Sequence, residues 1–342
     1  MARLVPCWGF AVPVALVALI VACGARSPLV CVRTPEVEIV PTLYLVLGAS
    51  ESMARGNRWA DARREIADAI ARLPSPRLRI GVAILGGSDE SCGSTGEILA
   101  PDENGRLDAA AAAKAFLGVT ATVSPKGGTP MSATLRTITS RLRSERMRHP
   151  MHLVLVTDGE PNCGDIRSCN VADCTFNLEA VAPECQPSGP RNCCIDAPSG
   201  CVDASGTIDA IAGIARLGVP VVVVGLPGTE RFSGLLSSFA RAGGTARPGA
   251  SSAYYAVRSE GTEALTRELG DALTAATHGC DFALGSVIPG DARVVLGGHA
   301  VERDAKEGFT AREDLLSLHG AACDERRAGA AVAIAWLEQC PA

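Results

Sequence analysis

Five apolar runs limit what this chain can fold into. Leu43-Tyr44-Leu45-Val46-Leu47, Ile80-Gly81-Val82-Ala83-Ile84-Leu85, Leu153-Val154-Leu155-Val156, Val221-Val222-Val223-Val224 and Ala253-Tyr254-Tyr255-Ala256-Val257 contain no charged residue. Strands with one wet face alternate apolar and polar side chains. Runs without alternation suit parallel strands covered on both faces. Between them lie stripes at helical spacing: Trp59, Ala62, Ile66, Ile70 and Leu73; Leu135, Ile138 and Leu142; Ile208, Ile211 and Ile214; Leu235, Leu236 and Phe239; Leu265, Leu269 and Leu273. Strand and helix in alternation predict an α/β fold, a doubly wound and mostly parallel sheet. Segment 94–102 is expected to add an edge strand. The order of strands is not fixed by this pattern.

Two regions depart from the alternation. Residues 160–204 carry seven cysteines at the spacing Cys163-x5-Cys169-x4-Cys174-x10-Cys185-x7-Cys193-Cys194-x6-Cys201. There is no Cys-x-x-Cys pair and no histidine among them, so disulfides explain the pattern better than zinc. The segment is expected to be a disulfide-rich insertion between a strand and its next helix. Seven is odd, and Cys92, in the loop after the second strand, is the candidate partner from outside. Cys31, Cys280, Cys323 and Cys340 are left to pair among themselves. Residues 278–342 contain Arg293-Val294-Val295-Leu296, Leu315-Leu316-Ser317-Leu318 and Val332-Ala333-Ile334-Ala335-Trp336, which predict a small β-rich C-terminal module.

Fourteen cysteines in 342 residues are many for a reducing compartment. The first residues account for this. Arg3 precedes an uncharged stretch, Trp8 to Ala22, which ends in Ile20-Val21-Ala22-Cys23. This resembles the lipobox of bacterial lipoproteins, in which the signal peptide (1–22) is removed and the cysteine, here Cys23, is lipidated. Residues 23–40 then read as a tether. The resemblance implies an exported protein held in the cell envelope by a lipid anchor, and Gly24 after the cysteine leans towards the outer membrane. A net charge of −5, no basic block and 4% aromatic residues argue against nucleic acid as a partner.

Three segments converge on one chemistry. Gly48-Ala49-Ser50-Glu51-Ser52-Met53 follows the first strand, Gly127-Gly128-Thr129-Pro130-Met131 opens a helix, and Thr157-Asp158-Gly159 ends a later strand. Singly, each has a plain reading as a turn or helix start. Together, over residues 41–277, they resemble the metal-ion-dependent adhesion site of von Willebrand factor A domains: Asp-x-Ser-x-Ser, a distant Thr, and an Asp after a later strand. The resemblance implies a protein-binding module. Ser50, Ser52 and Thr129 would be direct ligands of Mg2+, Asp158 would act largely through water, and an acidic residue of a partner would fill the open position. The pattern departs at its first residue, where Gly48 replaces the expected Asp. The site is thus degenerate, and Mg2+ is expected to bind weakly or not at all. Strand-like alternation would point Glu51 away from the two serines.

Enzyme readings are poorly supported. The chain lacks a Gly-x-Ser-x-Gly elbow and a phosphate-binding Gly-Lys-Ser/Thr loop. Only a metallohydrolase centred on Asp158 would remain, behind two binding-type expectations: an adhesion module, and a metal-independent structural or envelope-assembly lipoprotein.

Overall fold

The computed structural model describes residues 36–75, 77–101, 105–146, 149–257 and 262–336. The expected leader over residues 1–22, Cys23, Cys31 and Cys340 lie outside them. Strand β1 (Val37–Ile39) is followed by β2 (Thr42–Ala49), α1 (Arg58–Ala71), β3 (Arg79–Gly87), β4 (Ser94–Leu99), α2 (Ala109–Thr120), α3 (Met131–Arg146) and β5 (Met151–Thr157). Then come the short α4 (Thr175–Leu178), α5 (Ala204–Arg216), β6 (Val221–Gly225), α6 (Ser233–Ala242), β7 (Tyr255–Ala256) and α7 (Thr262–Thr277).

The main sheet has six strands in the order β4-β3-β2-β5-β6-β7. All pairings are parallel except β3 with the edge strand β4. The fold is therefore a doubly wound α/β sheet. All eight residues of β2 are buried, and alternation divides them. Leu43, Leu45 and Leu47 face Trp59, Ile66 and Ile70 of α1, Phe116 of α2 and Leu269 and Leu273 of α7. Tyr44 and Val46 face Leu135 and Ile138 of α3, Ile211 and Ile214 of α5 and Phe239 of α6. A fully buried side chain of this size contributes about 1.5–3 kcal/mol, so two apolar layers on one sheet dominate the stability. Gly81 permits the packing: a β-carbon there would stand 2.5 Å from the Tyr44 ring.

Several expectations need adjusting. Helix α2 had no marked stripe, because its first turns are alanine (Ala109–Ala113) and Phe116 is the one large apolar side chain it fully buries. The strand expected over Ala253–Val257 pairs only at Tyr255 and Ala256. The tether read over residues 23–40 is shorter at its described end, because Val37–Ile39 forms β1.

That strand belongs to the C-terminal residues. Strands β8 (Asp281–Ala283), β9 (Arg293–Leu296), β10 (His299–Val301), β11 (Phe309–Arg312), β12 (Leu315–Leu318) and β13 (Val332–Ala335) form two antiparallel sheets, with α8 (Gly320–Arg327) between β12 and β13. Their orders are β1-β13-β9-β10 and β11-β12-β8. Phe282, Val294, Leu296, Phe309, Leu316, Leu318 and Ile334 form a separate core, and Cys280 is bonded to Cys323. At the seam with the α/β body, buried Arg326 donates to the carbonyls of Ala330 (2.8 Å) and Thr277 (2.6 Å). Its burial lowers its pKa to about 10. His152 and His278 are held down to about 4, in both cases chiefly by burial, with Asp281 opposing the shift at His152 and Arg326 reinforcing it at His278.

Candidate functional site

The carboxyl ends of β2, β3 and β5 open onto a cleft of about 450 Å³. Ligands of open α/β sheets bind at such ends. Backbone hydrogen bonds lock the surrounding loops together. The amide of Lys126 donates to Ala49 O (3.0 Å), that of Glu51 to Gly127 O (3.0 Å), and that of Gly128 to Ser91 O (2.7 Å). Asn162 closes the set: its Oδ1 accepts from the Thr129 amide at 2.7 Å, and its own amide donates to Thr129 O at 3.0 Å. Gly128 lies so close beneath this loop that a β-carbon would meet Asn162 Oδ1 at 2.6 Å and Cys163 Sγ at 2.8 Å.

Ser50, Ser52 and Thr129 all line the cleft. The two serine hydroxyls lie 2.9 Å apart. Asp158 sits behind them, its side chain 3% exposed, hydrogen-bonded to Ser52 and 3.9 Å from the Arg58 guanidinium. Its Oδ2 has no hydrogen-bond partner. Burial raises its pKa, and Ser52 and Arg58 oppose the shift. Glu51 departs from the expected orientation. It opens a 3-10 turn, Glu51–Ala54, rather than extending the strand, and stands exposed on the lip of the cleft. Gly48 is buried within β2, and the nearest atom to a β-carbon built there would be 3.6 Å away. The backbone therefore accepts a β-carbon at 48.

The sequence did not single out Glu160 and Glu179, which also line the cleft. Glu160 is buried, and neither carboxylate oxygen is hydrogen-bonded to another residue. Burial, with Glu179 and Asp158 nearby, pushes it up to about 8. Glu179 follows α4 in the insertion and pairs with Arg55 at 3.6 Å. The only signal for Glu160 was its place two residues after Asp158.

The insertion is built on sulfur. Cys169–Cys201, Cys174–Cys194 and Cys185–Cys193 bridge within it, and Cys92–Cys163 ties it to the loop after β3. Cys174, Cys194 and Cys201 form its buried centre, with Phe176 and Ile166 against them. Buried Asn177 organises the chain around this centre: its Nδ2 donates to the carbonyls of Gln186 (2.9 Å) and Arg191 (2.8 Å), and its Oδ1 accepts from the Cys193 amide (2.9 Å). The sulfurs of Cys169, Cys194 and Cys201 lie within 4.8 Å of one another. All three are in disulfides, and only a thiolate ligates metal.

The donor set at the cleft is oxygen throughout: two paired hydroxyls, a third on Thr129 and an under-partnered carboxylate. That chemistry suits a hard divalent cation such as Mg2+, so the residues fit the ion. What they lack, relative to the adhesion-site pattern, is the carboxylate at position 48.

Strand order, parallel pairing and the three segments gathered at one rim define a von Willebrand factor A-type fold. No protein-family model and no curated protein matches the sequence. Among solved structures, the chain is similar to the pilus adhesin SpaC of Lactobacillus rhamnosus GG in its open conformation (16% identity, TM-score 0.48, covering 89% of this chain and 39% of that one). It is also similar to manganese-loaded TRAP of Plasmodium vivax (17%, 0.43, covering 70% and 77%) and to a von Willebrand factor type A protein of Catenulispora acidiphila (12%, 0.42, covering 88% and 58%). The chain spans about two fifths of the length of SpaC.

Proposed function

We propose that this protein is a lipid-anchored binding module of the cell envelope, exported and tethered through Cys23, whose rim cleft engages a partner protein. The observation that carries the reading is the buried carboxylate of Asp158 behind the Ser50 and Ser52 hydroxyls, in a cleft open to solvent. Ser50, Ser52 and Thr129 would hold Mg2+ directly, with Asp158 acting through water, and the ion would supply positive charge for a carboxylate of the partner. With Gly48 in place of Asp the ion is held weakly, so partner and ion strengthen each other's binding. Oxidised cysteines agree with an oxidising compartment. Among the described residues no helix is long and apolar enough to cross a membrane, and the anchor assigned to Cys23 lies outside them. No histidine lines the cleft among the described residues, and binding rather than hydrolysis is the activity proposed.

The test is capture from envelope extract with the full chain as bait, in Mg2+ and in EDTA. A partner retained by the wild type and lost by Asp158→Asn and Thr129→Ala supports the reading. Retention by both variants would move the binding surface elsewhere. Cys23→Ser should leave the chain unprocessed or free of membrane, since each acyl methylene buried in lipid contributes about 0.8 kcal/mol. An unmodified Cys23 in mature protein, seen by mass spectrometry, would refute the anchor.

A second reading is favoured by Arg58, whose guanidinium already lies 3.9 Å from Asp158. In it the arginine supplies the positive charge and the module binds its partner, or assembles into the envelope, without metal. Capture that is equal in Mg2+ and in EDTA selects it.

A further inference from the structure

The cleft contains one buried carboxylate, Glu160, that none of its arginines pairs with. Glu160 is 2% exposed, and neither of its buried oxygens has a hydrogen-bond partner on another residue. Asp158 Oδ2 also lacks a hydrogen bond, but it faces the Arg58 guanidinium at 3.9 Å. A buried carboxyl group without a partner is among the least tolerated features of a protein interior, and Glu160 stands two residues after Asp158 in the same turn. Glu179 lies across that turn, its Oε1 4.0 Å from where a β-carbon on Gly159 would stand. The arginines are committed elsewhere: Arg58 faces Asp158, Arg55 faces Glu179, and Arg231 donates to Leu178 O at 2.5 Å. Among the described residues no ion pair includes Glu160. It lines the same cleft as Ser50, Ser52 and Thr129.

We propose that Glu160 replaces the carboxylate absent at Gly48, supplying from the β5 side of the cleft the charge that holds a divalent cation, with Glu179 of the insertion as a weaker outer contributor. This rests on reading the cleft as an oxygen-donor cation site. The carboxylates act through water rather than directly. Oxygens of Asp158, Glu160 and Glu179 do not converge within 4.8 Å, a distance that only the three cystine sulfurs meet among the described residues. Mg2+ and ions like it keep several waters and accept carboxylates at one remove. The arrangement also gives the insertion a part in the site: the bridges that fix α4 fix Glu179, and Cys92–Cys163 fixes the loop beyond Glu160.

The test uses Mn2+ as probe with the purified full chain, following free Mn2+ by electron paramagnetic resonance. Wild type should bind one ion, and Glu160→Gln should weaken it by about tenfold or more, the range for losing a water-mediated partner. Glu179→Gln should weaken it by less. Adding Gly48→Asp to Glu160→Gln should recover the affinity, which a merely misfolded variant could not do. In EDTA the Glu160→Gln protein should melt no lower than wild type, since a neutral amide of the same shape replaces a buried carboxyl that has no side-chain partner, and its melting temperature should no longer rise with Mn2+. Equal Mn2+ affinity of wild type and Glu160→Gln would overturn the proposal while leaving the cleft as a cation site. Wild type that binds no Mn2+ would also overturn it, and would select the metal-independent reading. If Ser50→Ala and Asp158→Asn leave Mn2+ binding unchanged, the ion is not in this cleft, and it is the reading beneath the proposal that fails.

Discussion

The α/β body and the insertion over residues 160–204 keep their shapes by different means. In the body, both faces of the sheet are covered by helices, and Leu, Ile, Val and Phe fill the layers. In the insertion the buried centre is Cys174, Cys194 and Cys201, and Val181 and Ile195 remain exposed. The body is stabilised by water leaving apolar surface, a cooperative term spread over many residues. The insertion is stabilised by limiting the conformations of its unfolded chain. Its order therefore depends on redox state, and that of the body does not. The cleft lies where the two meet.

The comparison can be broken most directly in the body. Leu155→Ala, at a position with no exposure, should cost about 2–5 kcal/mol by denaturant unfolding, with sheet and helix signals lost together. Removing one bridge of the insertion, by Cys174→Ser with Cys194→Ser, should cost about 2–4 kcal/mol locally. It should expose the segment between the two positions to protease while the body's unfolding midpoint stays near wild type. A midpoint that falls as far as that of Leu155→Ala would mean that the insertion is part of the body's cooperative unit. At the cleft, Gly48→Asp should tighten Mg2+ binding by about 10–100-fold, or 1.4–2.7 kcal/mol, in the Glu160→Gln background, and by less where Glu160 is kept, read by calorimetry. Tight wild-type binding that this substitution does not change would show that the charge at 48 is already replaced in full.

The smallest effect belongs to the seam with the C-terminal residues. His152 and His278 titrate near 4 in the folded protein, against about 6.5 when unfolded. Between these values the unfolded chain binds more protons, so stability is full above about pH 6.5 and falls as pH drops towards 4. The loss by pH 5 should be about 1–2 kcal/mol per histidine. His278→Asn should remove roughly half of the slope seen by thermal melting across that window. An unchanged slope would assign the acid sensitivity to other groups.

What could be read in the sequence was whatever repeats along the chain. The runs at 43–47, 80–85, 153–156 and 221–224 are the four central strands, because burial on both faces leaves no room for a polar alternation. Helices with bulky stripes were legible for the same reason, and the alanine-rich α2 was not. The three site segments could be found because each lies in a short contiguous stretch. Glu160 and Glu179 could not be recognised, since an orphaned carboxylate is a property of its surroundings, and Glu179 reaches the cleft only after three bridges have folded the insertion. Asn177 was invisible too: its three hydrogen bonds go to residues 9 to 16 positions away. Strand alternation could not be applied to Glu51, because β2 ends at Ala49 and a 3-10 turn begins at Glu51.

Strand β1 has a mechanical consequence. It pairs antiparallel with β13, Val37 opposite Ile334 and Ile39 opposite Val332, and only Val40 and Pro41 separate it from β2, which leads straight to Ser50. A pull entering at Glu36 and resisted at the rim would therefore run along one continuous length of chain. That length is clipped first by β13 and then held along both edges by β3 and β5. Load in this direction slides strands past one another and strains many hydrogen bonds at once, whereas peeling would break them one at a time. The weak element is the three-residue clip, so it would yield before the sheet and lengthen the chain ahead of β2 while the cleft keeps its shape.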